Sequence, residues 1–308
     1  MRGILNVYKP KGVTSHDVVD EIRRKLSIKR VGHAGTLDPF AEGVLIIGVG
    51  DATRILEYLK VLEKKYYVKA ILGVITETFD ITGEVVENKN CDITSQELKD
   101  AILSFKGKYL QVPPAYSAKK YKGKKLYQFA RQGNIISLPP KEVEIFDISN
   151  IKIELPYFSF KVTTSPGTYI RSLCMDIGYK VGCGATSVEL VRLAVGEYEI
   201  QNSINPYEND SQRIKKALIP IEEAITLPKV EVYGEYVENI FNGVQPRLEF
   251  IKEIISPFRK GEDVAIYWQG KIIAIATAER NSKFFKTLYN QERFGERVFT
   301  LKKVFKNL

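Results

Sequence analysis

The longest strongly apolar run in this chain is Val44 to Val49 (VLIIGV). A membrane-spanning helix needs about 20 consecutive apolar residues, so no such helix is expected. A run this short reads as a buried strand. Other segments are built on the same scale. Tyr66 to Leu72 alternates like a strand, which places Tyr66 and Tyr67 on opposite faces. Val143 to Leu155, Phe158 to Ser165 and Glu189 to Val195 also read as β. Short amphipathic helices lie between them. Thr14 or Ser15 caps one whose Val18, Val19, Ile22 and Leu26 share a face. Asp51 caps a second, with Ile55, Leu56 and Leu59 inward, and Thr94-Ser95-Gln96-Glu97 is a capping box for a third. Thr168 starts a fourth that ends near Gly182. Irregular alternation with hairpins predicts an α+β fold, with a mixed, largely antiparallel central sheet and flanking helices.

At 308 residues the chain is too long for one small module. Pro228 marks the expected boundary, giving domains of residues 1–226 and 227–308. The second carries short β-like runs, Val264 to Trp268 and Ile272 to Ala278, around a Gln269-Gly270 turn. Asn202 to Ile219 looks polar and irregular. The net charge of +9 favours a polyanionic partner, modestly. With only His16 and His33, and no Cys/His cluster at zinc spacing, no metal is expected. Gly48-Val49-Gly50 lacks a third glycine, and no G-x-x-x-x-G-K-[ST] occurs, so no nucleotide cofactor is expected either. Cys91, Cys174 and Cys183 are odd in number and form no C-x-x-C, which fits reduced thiols in a cytosol.

Three segments hold candidate chemistry. The first, around Lys119 to Lys125 (KKYKGKK), lies in a stretch from Ala101 to Lys141 with no acidic residue and is interleaved with Tyr116, Tyr121 and Tyr127. Lysines contact phosphates and tyrosines offer faces for bases to stack on, although such a run can equally be a solvated loop. The second is Gly32-His33-Ala34-Gly35-Thr36-Leu37-Asp38-Pro39. Asp38 before Pro39 is either a helix N-cap or a carboxylate held on a constrained loop as a nucleophile. The third is Ser165-Pro166-Gly167-Thr168-Tyr169-Ile170-Arg171. It puts Arg171 in a helix's first turn, where a cation opposes the dipole. Either Arg171 snorkels over the surface or it pairs with a carboxylate.

GHAGTLDPFAEGVL at Gly32 to Leu45, KKYYVKAILG at Lys64 to Gly73, PPAYSAKKYKGKKLYQFAR at Pro113 to Arg131 and SPGTYIRSLCMDIG at Ser165 to Gly178 occur in that order. Together with Lys9-Pro10-Lys11-Gly12 they resemble the bacterial tRNA pseudouridine synthase B family, which isomerises uridine 55 in the T-loop of tRNA. The likeness covers Met1 to about Gly196. The last eighty or so residues more weakly resemble a PUA domain, a small β-barrel-like RNA-binding module. The resemblance implies a cofactor-free enzyme with Asp38 as nucleophile, Arg171 pairing with it, and Tyr66 stacking on the target base. It implies that Tyr169 and Leu193 line the pocket and that His33 fills the stack the uridine has left. Lys9, Pro10, Lys119, Lys120 and Lys122 are implied substrate contacts, and residues 113–141 an RNA-clamping insertion that orders on binding. The implied partner is the tRNA T-arm stem-loop, bound by a cytoplasmic monomer with no membrane and no obligatory protein partner. Two tracts depart from the pattern, VITETFDITGE after Gly73 and Asn202 to Ile219, and neither is expected to touch the chemistry.

Other readings compete. A non-catalytic RNA binder would use Asp38 only as a cap. A PUA-bearing methyltransferase would need a glycine-rich methionine-cofactor loop, which the chain lacks. A guide-RNA-dependent relative would work inside a multiprotein particle. The motif order and the KKYKGKK insertion favour the stand-alone enzyme.

Overall fold

A computed structural model describes residues 1–117 and 119–306. The chain divides into two compact units, one of Leu5–Ile47 and Leu56–Ala217, the other of Met1–Ile4, Gly48–Ile55 and Leu218–Leu308.

In the first unit, strand β1 (Gly3–Lys9) leads to helix α1 (Ser15–Leu26). Thr14 caps α1 in a reciprocal capping box with Asp17, and Val18, Val19, Ile22 and Leu26 are buried as the periodicity predicts. Strands β2 (Val31–His33) and β3 (Glu42–Val49) flank the Asp38 loop. A 3-10 turn, Gly50–Ile55, which belongs to the second unit, precedes α2 (Leu56–Lys60), so Asp51 sits inside that turn and is not the cap of an α-helix. Strand β4 (Lys64–Leu72) buries alternate residues from Lys64 to Leu72, leaving Tyr66 buried and Tyr67 on the other face. A short hairpin, β5 (Val74–Thr76) and β6 (Val85–Asn88), precedes α3 (Ser95–Leu103), which Thr94 and Glu97 cap as expected.

Next come β7 (Gly107–Gln111) and a miniature hairpin, β8 (Lys120–Tyr121) and β9 (Lys124–Lys125), leading into α4 (Leu126–Ala130). Lys122 and Gly123 both have positive φ (45° and 83°), the conformation that tight two-residue hairpin turns need. The KKYKGKK segment therefore pairs as a hairpin, Lys120 with Lys125 and Tyr121 with Lys124. Strands β10 (Lys141–Glu154) and β11 (Tyr157–Thr164), helix α5 (Ile170–Lys180), β12 (Ala185–Val195) and the short β13 (Tyr198–Glu199) complete the sheet. Tyr169, not Thr168, occupies the N-cap of α5. Within the tract that looked irregular, Asp210 caps a short helix, α6 (Ser211–Lys216).

The main sheet runs β1-β3-β12-β4-β11-β10-β7, with β2 and β13 on its flanks. Strand β12 pairs antiparallel with β4 and parallel with β3, and β4-β11-β10-β7 is antiparallel throughout. This is the mixed, largely antiparallel sheet that the sequence predicted. Beneath it, Phe158 and Phe160 stack at 6.2 Å and pack with Val68, Val162, Leu173 and Ile177. Burying side chains of this size contributes roughly 1.5–3 kcal/mol each.

The reading of three reduced thiols is corrected. Cys91 and Cys183 form a disulfide with Cα atoms 5.7 Å apart, and only the buried Cys174 is free. Their separation of 92 residues hid the proximity from the sequence. Both segments return to Gly73, which accepts a hydrogen bond from the Lys89 N–H at 2.7 Å and donates one to the Gly184 carbonyl at 3.1 Å.

In the second unit, α7 (Ile221–Ala224) precedes a five-stranded sheet in the order β15-β14-β16-β17-β18, formed by Ile251–Ile254, Lys229–Val232, Asp263–Trp268, Lys271–Ala278 and Phe299–Val304. Helices α8 (Val237–Phe241) and α9 (Phe285–Asn290) cover it. Its core holds Phe258, Phe285 and Phe299 in mutual contact at 5.4–5.8 Å. Strands β16 and β17 pair around Gln269-Gly270 as expected. Among the described residues no strand pairing links β15 to β18, so the sheet is open rather than a closed barrel.

Candidate active site

Asp38 lies on the β2–β3 loop, and no helix follows Pro39, so the N-cap reading of Asp38 fails. The loop is fixed by hydrogen bonds from Ser15, Gly12 and Arg192. Ser15 Oγ donates to the Leu37 carbonyl (3.0 Å) and accepts from the Leu37 N–H (2.9 Å). The Gly12 N–H donates to the Pro39 carbonyl at 2.8 Å. Arg192, 4% exposed on β12, donates through Nε to Val44 O (2.6 Å) and through its terminal nitrogens to Thr36 O and Gly35 O (3.3 and 3.2 Å). Gly35 has a φ of 139°, a conformation that favours glycine.

Arg171 comes from the first turn of α5 and is buried. Its Nε lies 2.9 Å from Asp38 Oδ2. One terminal nitrogen reaches Asp80 Oδ2 (3.1 Å) and the Thr78 carbonyl (2.5 Å), and the other reaches the Tyr116 carbonyl (2.8 Å). A cation is tolerated here, against the helix dipole, because two carboxylates and two carbonyls surround it. The Asp38 side chain stays 34% exposed while that of Arg171 is 4% exposed, so the carboxylate is held from behind and open in front.

The opening is a cavity of about 340 Å³ lined by Asp38, Tyr66, Tyr169, Leu190, Arg171 and Arg192. Tyr66 reaches it from β4, opposite Arg192 in the β4–β12 ladder. Burial raises the Tyr169 phenol above its ordinary range, partly offset by a hydrogen bond with Ser117. Lys64 and Lys119 also line this cavity. Burial lowers Lys64 to about 8, and its ammonium donates to the Lys60 and Leu62 carbonyls at 2.5 Å each.

A second cavity of about 440 Å³ shares Asp38 and Arg171 and adds His33, Lys125, Tyr127 and Arg131. His33 lines this second space and not the first. Burial, and then the charge of Arg192, lowers its imidazole to about 4, while Nδ1 accepts the Gly35 N–H at 3.3 Å. It is therefore a neutral flat ring near neutral pH.

Leu193 lines neither cavity. The β4–β12 register shifts between Arg192 and Ala194, so Leu193 has no partner in the ladder, while Leu190 and Arg192, two residues apart, share the face that lines the site. Lys9 is fully buried and donates to the Pro10 and Val13 carbonyls (2.9 and 2.7 Å), so it and Pro10 shape a turn beneath the site and do not line its walls. Burial lowers Lys9 to about 8, opposed by the nearby Asp38 charge. Lys120 and Lys122 are exposed on the hairpin and line neither cavity. The tract after Gly73, expected to stay clear of the chemistry, supplies Thr78 and Asp80 to Arg171.

The chain matches the TruB family pseudouridylate synthase N-terminal domain over residues 23–170 and the tRNA pseudouridylate synthase B C-terminal domain over residues 171–226. It is 61% identical to the tRNA pseudouridine synthase B of Thermosipho melanesiensis over 308 residues, covering 100% of both chains. This chain belongs to the TruB family of pseudouridylate synthases. The tRNA pseudouridine synthase B of Thermotoga maritima is 59% identical over 305 residues, 98% of each chain. Among solved structures, a Cbf5-Nop10-Gar1 complex contains a chain similar at TM-score 0.71 and 26% identity, with 98% of this chain and 84% of that chain covered. An H/ACA RNP bound to a substrate RNA is similar in fold at TM-score 0.71 and 24% identity, with 98% and 84% covered.

Sequence reasoning missed Asp80, Lys64, Leu190 and Arg192. A signal existed for the last: an arginine two residues from Leu190 on a strand shares the face of that leucine.

Proposed function

We propose that this enzyme converts uridine 55 in the T-loop of tRNA to pseudouridine, with Asp38 as the nucleophile. The observation that carries the reading is the single exposed face of Asp38, held 2.9 Å from a buried arginine at the mouth of a cavity walled by two tyrosines. The reaction breaks the bond between N1 of uracil and C1′ of ribose, turns the base, and joins C5 to C1′. The proton on C5 is then lost, and N1 gains one, so the product is an isomer of the substrate. Asp38 attacks either C1′ or C6 and is released when the new bond is complete. Arg171 orients the carboxylate through a charge-assisted bond. Tyr66 stacks on the turned base and is placed to assist removal of the C5 proton. Tyr169 and Leu190 bound the space in which the base rotates.

A uridine in a folded T-loop must leave its stack first, which costs a few kcal/mol. The neutral ring of His33 suits the gap that it leaves. The lysines and tyrosines of the β8–β9 hairpin suit phosphate and base contacts, and recognition then rests mainly on the shape of the folded loop. The reading places the protein in the cytoplasm, acting as a monomer on free tRNA without a cofactor.

The test is pseudouridine formation in a T-arm stem-loop RNA by the purified chain in EDTA, beside Asp38→Asn. Turnover by the wild type alone, with RNA binding kept in the mutant, supports the reading. Binding without turnover by the wild type refutes it for this substrate, and activity only after a protein partner is added favours the guide-dependent alternative.

A further inference from the structure

Helix α5 carries Arg171 in its first turn and Tyr169 at its N-cap, yet the Tyr169 side chain makes no capping hydrogen bond. The first turn of a helix leaves backbone donors unsatisfied, and here it also bears an opposing cation. Something else must hold this end in place. Gln111, the last residue of β7 and 1% exposed, is well placed for that task. Its Oε1 accepts the Tyr169 N–H at 2.8 Å, and its Nε2 donates to the Tyr169 carbonyl at 3.0 Å. The same Nε2 contacts the Tyr109 hydroxyl. The Tyr169 carbonyl meanwhile accepts the Leu173 N–H at 3.0 Å. One side-chain amide thus engages both backbone groups of a single residue, in the pattern a neighbouring strand would use, across a separation of 58 residues.

We infer that Gln111 is a positioning residue for catalysis: its amide clamps the Tyr169 backbone and so sets both the Tyr169 ring and the Arg171 guanidinium against Asp38. The inference rests on the functional reading above. A second tie crosses the same interface without touching Tyr169. Ser172 Oγ donates to the Val112 carbonyl at 3.1 Å. This provides an internal control, because it joins the same two segments. If β7 merely packed against α5, the two ties would be equivalent. If the Tyr169 backbone is the point that matters, only Gln111 affects the reaction.

Gln111→Met keeps the length of the side chain and removes both arms. We expect kcat on T-arm RNA to fall at least about tenfold, since displacing reacting groups by about 1 Å can cost a hundredfold, while KM stays within about twofold. Ser172→Ala should leave kcat unchanged. Gln111→Glu keeps the acceptor for the Tyr169 N–H and loses the donor to its carbonyl, so its kcat should fall between wild type and Gln111→Met. If Gln111→Met fails to fold, the Gln111→Glu rate decides. The inference is overturned by a Gln111→Glu rate equal to wild type, by a Ser172→Ala loss as large as that of Gln111→Met, or by a KM rise at constant kcat. Absence of pseudouridine with the wild-type protein sinks the functional reading itself, and normal wild-type turnover with indifferent Gln111 variants sinks only this inference.

Discussion

The Asp38 loop and the β8–β9 hairpin both contribute to the cavities, and they are built in opposite ways. The loop is fixed by buried groups with few alternatives: Ser15, Arg192 and Arg171 engage its backbone and its carboxylate at 2.6–3.3 Å. The hairpin and the helix α4 that follows it hold their cations in the open, with Lys122 over Tyr121 at 5.5 Å and both Lys125 and Arg131 over Tyr127 at 5.7 and 5.4 Å. Cation–π contacts at exposed sites are worth about 0.5–1 kcal/mol, so these charges rest on the rings and can exchange to phosphates. Chemistry needs atoms fixed before the substrate arrives, whereas affinity needs charge that can adapt to it. Mutations in the loop should therefore change kcat, and mutations in the hairpin should change KM and salt dependence.

The largest effect is expected at Asp38. Asp38→Asn keeps size and shape and should lower kcat at least about a thousandfold with RNA affinity little changed, measured by single-turnover pseudouridine formation and by filter binding. Comparable turnover by the mutant would remove the nucleophile from the account. Arg192 comes next. Arg192→Met leaves the Val44, Thr36 and Gly35 carbonyls without their shared donor. A buried acceptor left unpaired costs about 1–3 kcal/mol, so the melting temperature and kcat should fall together. A drop in kcat at unchanged stability would mean that Arg192 acts on the substrate and not on the loop.

How far the sequence disclosed these two regions follows from what sets each one. The sheet and helices were legible because their signals are local: alternation in Tyr66 to Leu72, and capping boxes at Thr14 and Thr94. The Asp38–Arg171 pair was legible through the family resemblance: the segment alone left Arg171 either snorkelling over the surface or paired with some carboxylate. Asp80 was not legible. It lies in the loop that joins β5 to β6 and meets Arg171 across 91 residues of sequence. Leu193 came from the family resemblance; plain alternation already sets it on the face opposite Leu190 and Arg192, and it lines neither cavity. The Cys91–Cys183 pair was hidden in the same way as Asp80, by contacts through Gly73.

A smaller effect lies in the pH dependence of stability. His33 is lowered to about 4 in the fold against an ordinary 6.5, so the unfolded chain binds more protons between those values. The sign follows: His33 leaves stability intact above pH 6.5 and removes it progressively as pH falls toward 4. Asp176 works the other way. Burial raises it to about 6 from 3.8, so its contribution is present below pH 3.8 and is lost as pH rises through 6. The two partly cancel in the wild type. In an Asp176→Asn background the melting temperature should fall more steeply from pH 6.5 to 4.5, and adding His33→Asn should flatten it. A slope unaffected by His33→Asn would show that the ring gains its proton without strain.

The smallest effect is the one that most directly tests the contrast between fixed and adaptable charge. Lys120 and Lys122 are exposed on the hairpin and take part in no ion pair among the described residues. Removing either lysine should lower the slope of log affinity against log salt by about 1 if it meets a phosphate, and raise KM a few-fold. The fold has little stake in these side chains, so the melting temperature should hold. In single-turnover assays at saturating RNA, kcat should also hold, because neither lysine lines either of the cavities that contain Asp38. If Lys120→Ala instead lowered kcat at saturation, the hairpin would be part of the fixed machinery, and the division between a rigid loop for chemistry and an adaptable hairpin for affinity would not describe this enzyme.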